Sequence, residues 1–197
     1  MKNRFFLKTL LCLISSIFLI PCSSISQSRL IFGGGISFPS NPSTFSDTYK
    51  TGVNLEFGVL GAPTLIDNLD NVDVEFSVTY NTFGLSIPEG SNVSGGRLNL
   101  LTAKFGGRYY LGEPEVGKTN FYLGAGYGRY SMRVSDLKGT DFKFKFDEQT
   151  GNSLNFGVGI IMPSNYFWNF DLRHKTIYTK GEHNLSFITL RLILFFV

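Results

Sequence analysis

Eight segments of this chain alternate apolar and polar residues with a period of two, and in five of them the polar phase carries charge. That pattern confines the chain to β-strands whose two faces meet different surroundings. The segments fall at about 29–38, 50–60, 72–83, 97–111, 120–134, 152–162, 166–178 and 183–197. Their apolar phases run Leu30, Phe32, Ile36, Phe38; Val53, Leu55, Phe57, Val59; Val72, Val74, Phe76, Val78, Tyr80; and Leu101, Ala103, Phe105, Tyr109, Leu111. They continue with Phe121, Leu123, Ala125, Tyr127; Leu154, Phe156, Val158, Ile160, Met162; Trp168, Phe170, Leu172; and Ile188, Leu190, Leu192, Leu194, Phe196. The opposite phase holds Glu56, Asp73, Glu75, Lys104, Arg108, Asp171, Arg173 and Arg191, four acids and four bases.

Period two leaves open which face is inside. A soluble, lipocalin-like barrel binding an apolar ligand would bury the apolar phase, and a barrel in lipid would bury the charged one. Three features favour lipid. The segments 39–49, 84–96 and 135–151 are long, whereas Pro163-Ser164-Asn165 is a tight turn, as in barrels with long external loops and short periplasmic turns. The segment 61–71 and the turn near Lys180-Gly181 are exceptions to that alternation. Aromatics gather at strand ends (Phe38, Tyr80, Tyr109, Phe121, Tyr166, Trp168, Phe196), where interfacial girdles lie. The last strand, Phe187 to Val197, is expected to close the ring and leave no edge.

An eight-stranded barrel has an interior only wide enough for side chains, so the eight inward charges must pair with one another. Gly124, Gly126 and Gly128 alternate with Tyr122 and Tyr130 in the same phase; they leave room for long Arg and Lys side chains, relieve strand curvature, or do both. With Tyr122, Tyr130 and Ile161 also pointing inward, no stable pore is expected.

The first 26 residues read as a secretory signal peptide: Lys2, Arg4 and Lys8, an apolar run from Phe5 to Ile20, then small residues up to a cleavage point after Ser26. The run is shorter than the ~20 residues a membrane helix needs. The domains are therefore 1–26, signal peptide, and 27–197, one barrel domain. Cys12 and Cys22 both fall in the signal, and Pro21 stands where a lipobox needs a small residue. The chain has 18 basic and 15 acidic residues; the signal removes three bases and leaves 15 of each, so no basic surplus remains for nucleic acid.

On the signal, the eight alternating strands and the Leu190–Phe196 ending, the chain resembles the small outer-membrane β-barrel proteins of Gram-negative bacteria, of the OmpX and OmpA membrane-domain type. The resemblance covers essentially the whole mature chain, although Val197, not an aromatic, is last. It implies an all-β, eight-stranded antiparallel up-and-down transmembrane barrel in outer-membrane lipid. It also implies that the C-terminal strand is read by the barrel-assembly machinery, and it brings no cofactor.

Two surface features are candidates for function. In Asp141–Asp147, Phe142, Phe144 and Phe146 alternate with Lys143 and Lys145, which suggests that the flanking strands continue past the membrane as a hairpin able to bind a surface protein. Packing of those phenylalanines on neighbouring loops is the plainer reading. His174 and Thr176, with Glu182 nearby, faintly resemble the His-x-Ser and glutamate arrangement of lipid A deacylases, with threonine in place of serine. A non-enzymatic surface or structural role is the expectation, with a rim lipid hydrolase as the alternative. No metal site is expected: the mature chain has no cysteine, its histidines are unpaired, and Asp67, Asp70 and Asp73 fit a polar turn. The glycine runs match neither a dinucleotide fingerprint nor a P-loop.

Overall fold

The computed structural model describes residues 25–63, 70–87, 91–112, 118–139, 143–163, 168–179 and 184–196. Its elements are β1 (Ile25–Asn41), α1 (Ser43–Thr48), β2 (Gly52–Pro63), β3 (Val72–Phe83), β4 (Leu98–Tyr110) and β5 (Asn120–Val134), followed by β6 (Leu137–Lys138), β7 (Lys143–Phe144), β8 (Gln149–Ile161), β9 (Trp168–Tyr178) and β10 (Leu185–Phe196). Eight strands close in the order β1-β2-β3-β4-β5-β8-β9-β10, every neighbouring pair antiparallel, and β10 returns to β1 through Leu30↔Phe196 to Pro39↔Phe187. The terminal strand thus closes the ring, as its alternation requires, because an open edge in lipid would leave backbone groups without partners.

The bounds of β3 and β5 coincide with the sequence reading. β1 is longer at both ends, and the expected cleavage point after Ser26 falls just inside it; residues 1–24 lie outside the described residues. At its far end the pairing with β10 shifts register between Pro39 and Asn41, where proline has no N–H to give the ladder. The 39–49 segment, read as loop, contains α1. This single turn and a half carries Phe45 onto the barrel mouth, 5.6 Å from Phe83 and 5.6 Å from Tyr49 by ring centroids. Burial there pushes the Tyr49 phenol above its ordinary pKa.

The hairpin also differs from expectation. β5 stops at Val134, and β6 pairs with β7 as a separate two-stranded sheet, so the barrel strands do not run on into it. Ser94 captures Lys138 in two backbone hydrogen bonds of 2.8 Å, and the turn that allows this uses Gly95 and Gly96 at positive φ. Arg97 and Ser135 are tied at 2.8 Å just below. The competing partner for β6 is therefore the preceding loop.

Burial settles which face is inside. Leu55, Phe57, Phe105, Leu123, Phe156, Val158, Phe170 and Leu190 are among the outward-facing apolar side chains left uncovered, whereas Glu56, Glu75, Arg108, Asp171 and Arg191 are buried in the lumen. This is the reverse of a water-soluble barrel, and the lipocalin-like alternative is overturned by it. Among the described residues no helix is long and apolar enough to cross a membrane, and the apolar belt is built from strands alone.

The lumen is filled in three layers. At the end bearing α1, Phe45, Phe83, Leu98, Leu100, Tyr130, Met132, Ile177 and Phe187 form one apolar cluster. At the end where β1 begins and β10 finishes, Ile31, Leu60, Tyr110, Tyr122, Ile161, Ile193 and Phe195 form another. The buried charges lie between them, except Asp73, which sits within the second cluster beside Tyr110.

Candidate functional site

The central layer is built from side chains that alternate inward along β2, β3, β4, β9 and β10. Glu75 is its hub: Oε1 accepts from Lys104 Nζ at 2.5 Å, and Oε2 from Arg108 Nε at 2.8 Å and Arg173 Nη2 at 3.0 Å. Glu56 takes Lys104 at 2.8 Å, the Ser77 hydroxyl at 2.6 Å, and Arg191 Nη1. Asp171 lies opposite Arg191 in the β9–β10 register and holds its Nη2 at 2.5 Å, while its other oxygen accepts from Arg173 Nε at 3.0 Å and the Tyr122 hydroxyl at 2.7 Å. Three carboxylates, on β2, β3 and β9, are thus bound by four cations, on β4, β9 and β10.

All eight charges expected inside therefore face the lumen, and seven of them belong to one contiguous network. Asp73 stands apart, near the end where β1 begins. There it accepts from Arg29 Nη2 at 2.7 Å and the Tyr110 hydroxyl at 2.6 Å. The guanidinium of Arg108 lies over the Tyr122 ring at 4.8 Å and over Phe195 at 5.4 Å, and its two terminal nitrogens have no hydrogen-bond partner. Ring faces supply part of what those donors lack.

The glycines make this packing possible. A Cβ on Gly124 would stand 3.1 Å from Arg173 Nη2, one on Gly157 would reach 2.5 Å from Arg173 Cγ, and one on Gly159 would overlap the Tyr122 ring. Of the row on β5, Gly124 leaves space for the Arg173 guanidinium, which reaches in from β9 two strands away, whereas Gly126 faces Asn155 and Gly128 the neighbouring β4; the β8 glycines make room for Arg173 and Tyr122.

Three features escaped the sequence reading. Lys175 is buried in the lumen, two residues after Arg173 and in the same phase; it belongs to the His174-Lys175-Thr176 triplet that drew notice for its outward neighbours. Its Nζ donates to the Thr79 and Thr102 hydroxyls at 3.0 and 2.8 Å. Arg29 was the second, although it stands one register step from the first strand's apolar phase. The third is the apolar content of the inward phase at both barrel ends, from Phe187, Ile193 and Phe195 among others. Alternation between two apolar sets gives no contrast to detect.

On the outer rim, His174 is exposed between Phe156 and Ile188, and Thr176 Oγ1 shares a hydrogen bond of 3.2 Å with Ser186 Oγ. Glu182 lies outside the described residues, as does Phe142. Of the hairpin residues, Lys143 pairs with Asp136 at 3.2 Å, and Phe144, Lys145 and Phe146 are exposed. Among the described residues no cluster of three or more His, Cys, Asp or Glu could hold a metal ion.

This closed antiparallel ring of eight strands, apolar outside and ionic within, has the fold of the eight-stranded outer-membrane β-barrels. Two solved members show the likeness. Ail, the attachment invasion locus protein of Yersinia pestis, in its complex with the heparin analogue sucrose octasulfate, matches with a TM-score of 0.52 at 11% identity, over 87% of this chain and 100% of that one. Neisserial surface protein A matches with a TM-score of 0.51 at 12% identity, over 86% and 97% of the two chains. At such identities the likeness is one of fold. No protein-family model and no curated protein matches the sequence.

Proposed function

We propose that this chain is a non-enzymatic outer-membrane protein, exported through a cleaved signal peptide of residues 1–26, whose lumen is plugged and whose work is structural or done by its external loops. The observation that carries the reading is the reversal of polarity: an apolar belt on the wall around a buried ionic core. Neither half is stable in water, where the belt would aggregate, and each is favoured in lipid. Insertion by the barrel-assembly machinery through β10 fits a strand whose outward face is Ile188, Leu190, Leu192 and Leu194.

The lumen does not serve as a conduit. Apolar clusters at both ends and ion pairs at the middle occupy the cross-section. Contact with partners then falls to the end bearing α1, where Phe144 and Phe146 are exposed beside Lys143 and Lys145.

Expression in a Gram-negative host, membrane fractionation and electrophoresis with and without boiling test this reading. The protein is expected in the outer-membrane fraction, trimmed of its first 26 residues, and to migrate faster unboiled because the barrel resists detergent until heated. Recovery in the soluble periplasm, or a single mobility in both lanes, would contradict it.

A further inference from the structure

We propose that the lumen binds one monovalent anion of halide size, chloride in ordinary media, in a small cavity among Lys104, Arg173, Lys175 and Arg191. The cavity measures about 20 Å³ and is lined by those four cations with Asn54, Thr79, Asn81, Asn155 and Thr189; no carboxylate among the described residues lines it. A space of that size admits one water or one small ion, since ~10–15 Å³ on the same measure holds a water.

Charge favours the ion. In the central layer five cations, Lys104, Arg108, Lys175, Arg173 and Arg191, face three carboxylates, Glu56, Glu75 and Asp171. Those carboxylates are engaged by Lys104, Arg108, Arg173 and Arg191. Lys175 has no carboxylate partner: the Thr79 and Thr102 hydroxyls use two of its three N–H donors, and the Phe187 ring lies 5.8 Å from its Nζ. The fourth acid, Asp73, is taken by Arg29 at the barrel end. Layers of apolar side chains close both ends, so bulk counter-ions do not reach the surplus. An isolated ammonium in such a place is costly unless it is paired.

A second observation points the same way. Asn81 is almost fully buried, its Oδ1 accepts from Ser37 and Asn54, and its Nδ2 has no partner. That amide lines the cavity as an unused donor, beside an ammonium with an unused donor. Asn54 Oδ1 also lacks a partner, which a water would satisfy better than an anion. The two occupants therefore differ in a measurable way, because a neutral water leaves Lys175 without a counter-charge.

The test uses the full barrel, refolded into detergent micelles in bromide so that the ion is present as the lumen closes, and crystallised from the same salt. Bromide anomalous scattering is expected to show a peak within hydrogen-bond distance of Lys175 Nζ. For barrels refolded at fixed ionic strength with bromide replacing gluconate in steps, the temperature at which the unboiled band is lost should rise and saturate with bromide, and Lys175→Met should abolish that rise. An ordered water with no anomalous signal would overturn the proposal, whether or not the variant folds. So would a bromide response of the same size in Lys175→Met.

Discussion

Glu75 shows how much a single inward carboxylate does in this barrel. It receives Lys104, Arg108 and Arg173, so removing it leaves three buried cations with less counter-charge at once. Breaking a buried ion pair from one side costs ~3–5 kcal/mol, more than an intact pair is worth over a hydrophobic replacement. Glu75→Ala should therefore lower the urea midpoint of folding in lipid vesicles strongly. A loss under ~1 kcal/mol, the worth of an exposed pair, would mean that water reaches the network. A steric counterpart lies on β8. Gly159→Val drives a side chain into the Tyr122 ring, an overpacking cost of ~1–3 kcal/mol, whereas Gly34→Val meets nothing nearer than 3.6 Å and should stay within ~0.5 kcal/mol. The same urea titrations compare the two. At this scale the sequence was legible where chemistry contrasts: Glu56 between Leu55 and Phe57 can only face away from them. Lys175 was passed over because its neighbours His174 and Thr176 suggested a rim site, and the partner of each charge was unreadable because it depends on barrel register.

The strands β3 and β5 matched their expected bounds because alternation there runs unbroken to a turn, while β1 outran its apolar stretch and continued as a polar ladder. Short elements were the ones missed. α1 has six residues and no side-chain cap; it exists because Phe45 finds Phe83 and Tyr49, a tertiary contact that no local pattern announces. The β6–β7 sheet was legible as alternation but not as a separate unit, since Ser94 supplies its neighbouring strand from a loop 44 residues earlier. The belt itself gives an element-scale prediction. Phe105→Arg, on the outward face of β4 between Phe76 and Tyr127, should destabilise the folded barrel by ~2–4 kcal/mol if it sits near the bilayer midplane. Thr150→Arg, outward at the loop end of β8, should cost ~0–1 kcal/mol. Equal effects at the two positions would contradict a belt of limited height.

For the whole molecule, the three-layered lumen and the reversed exterior are one design: the ionic middle is stable only because apolar layers exclude water above and below it. Planar-bilayer recordings should accordingly show no steady, sizeable conductance, and a persistent open level would mean that one of the two apolar layers is not closed. The central claim is that otherwise similar aliphatic side chains meet two different surroundings. Nuclear Overhauser spectroscopy on the methyl-labelled barrel in deuterated-headgroup lipid tests this most directly, because it reads lipid acyl protons against each methyl without altering the protein. Methyls of Leu55, Leu123, Val158 and Leu190 should show contacts to acyl chains, and those of Ile31, Ile177 and Ile193 should show none. Acyl contacts at the isoleucines, or water contacts in place of lipid at Leu55 and Leu190, would contradict the account.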